Sequence, residues 1–255
     1  MSTSTYKLNG DTLFLADIRS GAVSEIVYKS ILAATYSGGF GDDVSDVQQA
    51  VKKVEDLYKK TKGVGYHYQL ILSEIESNSD INIYINNKSV FSVYPNKHFE
   101  NDIIIYELES FLFQVKSSLD ILVQLLAYKY PYLTGFNPAK ISKLSFKSKD
   151  RIAGKETINK FVRNGRNDIG DIFDAEVKEW IQDLVTWRDT ITHRSDLQGF
   201  YCFILRNPKE GEFVLQMPIM PSGREVTEYC KVTLEKLLNL ETTIIEKFLL
   251  NTTTG

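Results

Sequence analysis

An arginine and a histidine stand five positions apart in the run Arg188, Asp189, Thr190, Ile191, Thr192, His193. Cleaving RNA without a metal needs a base for the 2'-hydroxyl proton, an acid for the departing 5'-oxygen and a cation against the charge of the phosphorane. A histidine, with a reference pKa of about 6.5, can serve as acid or base near neutral pH. An arginine stays charged and grips phosphate with two parallel N–H groups. Asp189 could orient either partner, and Thr190 and Thr192 carry hydroxyls that could donate hydrogen bonds. One such pair is half of a symmetric site, so this chemistry calls for a homodimer with two pairs face to face. The alternative is structural: Arg188 pairs with Asp189 or a neighbouring acid, and His193 is a cation that suits the end of a helix.

The elements that must position these residues are mostly helical. The motif lies late in a helix that the pattern starts at Asp174, with an apolar face of Val177, Trp180, Ile181, Leu184, Trp187 and Ile191 and with Glu176, Lys178, Glu179, Gln182 and Asp183 turned away. Arg188 falls beside that face, at the edge of the core. At 100° per residue His193 is about 140° around the helix from Arg188, so a shared site requires the helix to loosen or end near Thr192, or the arginine to reach around. A longer helix is expected from about Phe99 to Tyr130, stopped by Pro131. Its stripe is Ile105, Leu108, Leu112, Val115, Leu119, Leu122 and Leu126, and Phe111, Ile121 and Leu125 fall outside that stripe, as in a helix central to its own domain.

Upstream, Val47, Val51, Val54 and Leu57 repeat at helical spacing, a pause is expected at Lys62, Gly63, Val64 and Gly65, and a short second piece spans Tyr66 to Glu76. A further helix is read at Val23 to Thr35, ahead of a glycine turn at 37–42. Period-two runs at 81–94 and at 200–217 read as two β-hairpins. A last helix spans about Arg224 to Leu250, followed by a frayed end. The expected fold is mainly α, with an N-terminal helical region over 1–98 packed on a helical core over 99–255, and the second hairpin within that core.

Composition narrows the function. The chain has 255 residues, 43% hydrophobic and 25% charged, with a net charge of -3. An acidic balance gives no general attraction to nucleic acid, so any RNA surface must be local. One stretch reverses the balance: Lys140 to Arg166 holds nine basic residues against Asp150 and Glu156, with Phe146 and Phe161 interleaved. It is either a ledge for a phosphate backbone, with aromatics for base stacking, or a solvated connector. Within it a helix at Lys155–Arg163 should close at Asn164 and Gly165. Lys147, Lys149, Arg151 and Lys155, with Arg194 beside the motif, are the candidate RNA contacts.

Cys202 and Cys230 are too few for a disulfide framework. His67, His98 and His193 are too scattered for H-E-x-x-H or similar spacing, so no metal or other cofactor is expected. Walker, Rossmann and G-x-S-x-G signatures are absent. The opening residues lack a basic segment followed by an apolar run, and no stretch approaches about 18 uninterrupted apolar residues; a cytoplasmic protein outside the membrane is expected.

Arg188 and His193 resemble the R-x4-6-H motif of the HEPN family, in which Asn, Asp or His typically follows the arginine, as Asp189 does here. The long helix with Lys116 to Asp120 looks like the first core helix of several HEPN families, which packs against the motif helix. The resemblance covers roughly residues 99 to 250 and implies an antiparallel helical bundle, here with the two small hairpins inserted, and a metal-independent endoribonuclease. Such enzymes act as toxins or in phage defence, often under an antitoxin or regulatory protein. Ser195 stands where one antitoxin-modified subgroup carries a tyrosine, which sets this chain apart from that regulation. The rival expectation is a non-catalytic module of the same fold that binds RNA, a nucleotide or a protein partner.

Overall fold

The computed structural model describes residues 44–77, 101–130, 133, 138–147, 152–194, 203–206, 213–216 and 218–249. The helix read at 23–35, the glycine turn, the first hairpin at 81–94, His98 and the last six residues lie outside them.

The described chain is mainly helical. Helix α1 spans Val44–Ser77 and α2 spans Asn101–Lys129. A short turn α3 at Pro138–Ile141 precedes α4 at Lys155–Arg163. Helix α5 at Asn167–Glu176, a π-helical turn at Val177–Ile181 and α6 at Gln182–Arg194 follow one another without a break. Strands β1, Phe203–Arg206, and β2, Phe213–Gln216, pair antiparallel with Phe203 opposite Gln216 and Arg206 opposite Phe213. Helix α7 runs from Val226 to Ile244 and ends in a second π turn at Ile245–Leu249.

Helix α2 is the axis of the core. It packs along α1, against α6 and α7, and reaches the short α3. Its stripe from Leu108 to Leu126 is buried, but so are Phe111, Ile121, Val123 and Leu125, so its last two turns are enclosed on every side. By length and composition α2 could cross a bilayer over Ile103–Lys129, although its sequence holds no uninterrupted apolar run of that length; 67% of its apolar window is buried inside the protein. Helix packing thus accounts for that apolar surface.

Two expected boundaries are corrected. Helix α1 does not pause at Gly63 and Gly65 but continues for 34 residues. A Cβ on Gly63 would come within 3.2 Å of the Gln114 side chain on α2, and Val64 and Gly65 are buried, so the missing side chains serve close approach of two helices rather than a turn. The motif helix starts not at Asp174 but seven residues earlier, at Asn167. Ile169 and Phe173 extend its buried face, and Arg166 clamps the entry by donating to both Asp168 carboxylate oxygens at 3.0 and 2.8 Å.

Candidate functional site

Helix α6 carries Arg188 to the boundary between core and surface. Leu184, Val185, Trp187 and Ile191 are buried against the rest of the bundle, and Trp187 packs on Tyr229 of α7 with ring centroids 4.8 Å apart. This fixes the rotation of α6. Arg188 is then left 17% exposed, with its guanidinium carbon 4.9 Å from the centroid of the Phe113 ring on α2. Its Nη1 donates to Asp189 Oδ1, while its buried Nε has no hydrogen-bond partner. A buried guanidinium N–H without an acceptor is costly, and it marks a place where an oxyanion would be favoured.

Beneath this arginine lies a second charged pair. Lys116 and Asp120, one turn apart on α2, form an ion pair, and Asp120 Oδ1 accepts the Phe146 backbone N–H at 2.8 Å. Burial raises the Asp120 pKa above the usual carboxylate value; Lys116, the Phe146 amide and the charge of Arg188 all pull the other way. Asp120 therefore ties α2 to the segment before α4 and lies within the electrostatic field of Arg188 on the motif helix.

The histidine end is arranged differently. The backbone stays helical through His193 to Arg194 and does not loosen near Thr192. The 140° offset between Arg188 and His193 consequently stands. Arg188 does not reach around either, since its guanidinium is held by Asp189 and Phe113. The threonine hydroxyls point back along the helix: Thr190 Oγ1 donates to Thr186 O at 2.9 Å and Thr192 Oγ1 to Arg188 O at 2.9 Å. These protons go to carbonyls one turn earlier, a pattern common for threonine inside helices, so the expected donors toward a ligand are not there.

The basic stretch is also only partly as expected. Phe146 and Phe161 are buried in the core, tilted or stacked against Phe173 at centroid distances of 5.6 and 6.1 Å, and offer no stacking surface. The reason is that α4 is amphipathic: Ile158 and Phe161 form its inner face and the lysines its outer one. Arg166 is tied to Asp168 and sits over the Tyr130 and Phe248 rings at 4.1 and 5.3 Å. Lys147 and Lys155 are exposed. Lys149 and Arg151 lie outside the described residues, and only the helical backbone is described at Arg194.

Sequence reasoning gave no role in this region to three residues that the structure places there. Phe113 is 43% exposed and forms the surface under the guanidinium. Asp120 had a readable signal, the Lys116–Asp120 spacing of four on one helix face. Gln182, whose Oε1 accepts the Ala153 N–H at 2.7 Å, had none, because its partner lies 29 residues away. His67, read as surface or packed, bonds through Nδ1 to Glu107 Oε2 at 2.7 Å between α1 and α2. Among the described residues no group of three or more His, Cys, Asp or Glu is placed to hold a metal.

Compared with known proteins, the chain matches no family model, no curated protein and no solved structure.

Proposed function

We propose that the protein is a HEPN-like, metal-independent endoribonuclease that cleaves RNA by 2'-hydroxyl transesterification and works as a homodimer. The observation that carries this reading is the state of Arg188: a partly exposed guanidinium at the edge of the core, with an unpartnered Nε, five residues before a histidine on the same helix. A scissile phosphate would supply the missing acceptor. On a helix that continues through position 193, that position lies about 140° around from Arg188, which is why this reading calls on two copies. A second copy supplies the complement.

In that arrangement one His193 takes the 2'-hydroxyl proton while the oxygen attacks phosphorus, and the His193 of the other copy protonates the leaving 5'-oxygen. The products are a 2',3'-cyclic phosphate and a 5'-hydroxyl. The two Arg188 side chains stabilise the doubly charged phosphorane, where fixed cations act most strongly. Asp189 holds each guanidinium until phosphate displaces it. The seam between copies would run over the outer stripe of α2, where Ile103, Tyr106 and Phe113 are exposed and Phe113 adjoins Arg188. The HEPN-like antiparallel bundle with two hairpin insertions is part of the same proposal, as are a cytoplasmic location, control by an antitoxin or regulatory protein, and a role as toxin or phage-defence effector.

A second reading, a non-catalytic RNA-binding module, is favoured by the Arg188–Asp189 pair, which satisfies one guanidinium nitrogen without substrate. Sedimentation of wild type and Phe113→Glu, beside their cleavage rates, separates the two. The dimeric enzyme requires the substituted chain to become monomeric and inactive while remaining folded. A monomeric variant that cuts at the wild-type rate would remove the composite site.

A further inference from the structure

A small polar cleft opens to solvent where the segment before α4 meets its first turns, and the cleavage chemistry makes no use of it. Lys143, Lys147 and Lys160 line it together with Ser145, Thr157 and, as the one acid among the described residues that do so, Glu156. Lys160 touches Glu156 at a long 3.6 Å, whereas Lys143 and Lys147 have no carboxylate within ion-pair distance among the described residues. Three cations against one anion converge here on a protein whose net charge is -3. Convergence of like charges is unfavourable unless something answers it.

The walls are fixed. Thr157 Oγ1 donates to Ser145 O at 3.0 Å and accepts the Ser145 N–H at 3.3 Å, which ties the segment to α4. Gly154 turns the chain at φ +68°, and a Cβ there would come within 2.4 Å of the Phe146 ring. The Ala153 amide is held by Gln182 on α6 and the Phe146 amide by Asp120 on α2. One wall of the cleft therefore hangs on the same carboxylate that lies in the field of Arg188. Lysines act as point charges without the planar fork of arginine, so such a seat suits a phosphate of any sequence context.

We infer that the Lys143, Lys147 and Lys160 cleft is a phosphate subsite that holds a backbone phosphodiester of the RNA strand, apart from the phosphate at Arg188. The identity of the strand rests on the ribonuclease reading; the cleft's affinity for phosphate does not. The test uses the full chain and a fluorescent single-stranded RNA with 2'-O-methyl riboses, which binds but is not cut. Affinity is measured between about 50 and 200 mM salt for wild type, for Lys143→Ala/Lys147→Ala/Lys160→Ala, and for Lys52→Ala/Lys59→Ala/Lys62→Ala, which removes the same charge from exposed positions on α1.

The cleft variant should lose about tenfold or more in affinity and reduce the salt slope by about 2, close to 0.7 for each of three phosphate contacts. The α1 variant should stay within about twofold of wild type. Thermal melting establishes that both fold. Equal slopes for wild type and cleft variant, or equal losses in the two variants, overturn the subsite. So does a mononucleotide that binds the wild type and not the cleft variant while RNA affinity is the same in both, because the seat would then belong to a free nucleotide. If wild type fails to cut unmodified RNA while the cleft variant still loses its slope, the ribonuclease reading falls and the subsite stands.

Discussion

Asp120 and Glu241 are both carboxyl groups drawn into one helical core, and their surroundings differ. Asp120, between α2 and the motif helix, has Lys116, a backbone amide and the field of Arg188 against the effect of burial. Glu241, between α7 and α1, is buried and has the Thr61 hydroxyl, which donates to its Oε1 at 2.8 Å. Burial pushes its pKa up to about 8. The fold thus surrounds the carboxylate near the candidate site with cations and leaves the remote one to be neutral. Charge has been gathered at one seam of the bundle and kept out of the other.

The largest change should come from breaking the charged seam. Asp120→Ala strands the Lys116 ammonium and the Phe146 amide, and should lower unfolding stability by about 2–4 kcal/mol in urea titrations. A loss below about 1 kcal/mol would mean that Asp120 does not tie α2 to the segment before α4.

Glu241→Gln should act in the opposite direction, and its effect depends on pH. The unfolded carboxyl ionises near 4.5, whereas the folded one keeps its proton to about 8, so the folded state binds more protons between those values. Its contribution is therefore fully present below 4.5 and is lost as pH rises to about 8. Glutamine keeps the acceptor for Thr61 without the charge. The substituted chain should match wild type at about pH 4 and become steadily more stable than it as pH rises from 4.5 to about 8. A constant difference across that range would show that Glu241 is not buried as a neutral acid.

Gly154→Ala should cost about 2 kcal/mol, because it combines a left-handed backbone with a Cβ driven into the Phe146 ring. Restored binding to a 2'-O-methyl RNA at wild-type affinity would separate the lysine cleft from that turn. Phe113→Ala has the smallest expected effect on stability, about 0.5–1 kcal/mol from the lost cation–π contact with Arg188. A chemical melt of the variant against wild type reads it directly.

Much of the charge-poor framework was legible in the chain. The three-and-four spacing from Leu108 to Leu126 marked α2, and Val177 to Ile191 marked the buried side of the motif helix, because burial of a whole face leaves a periodic trace. The end of α4 at Asn164 and Gly165 was legible for a local reason, the positive φ of 78° that glycine accepts. The continuity of α1 was not, since a glycine that admits a neighbouring helix looks the same as one that ends a helix. Phe146 and Phe161 were misread as exposed because the lysines around them hid an amphipathic pattern. Arg188 could be assigned to the edge of the core, but its neighbour Phe113 is 75 residues away in sequence and leaves no local signal, while the spacing of Lys116 and Asp120 shows their pairing and not their proximity to Arg188. The hydroxyls of Thr190 and Thr192 do donate, but to carbonyls one turn earlier, a choice of acceptor that is invisible before the helix is known to continue.

The most direct measurement is cleavage of a mixed-sequence single-stranded RNA by the purified protein in excess EDTA, beside folded His193→Ala. The account predicts fragments ending in 2',3'-cyclic phosphate and a rate lowered by about 10²–10⁴ in the variant. Equal cutting by both proteins, or no cutting by a wild-type dimer that binds the RNA, would contradict it.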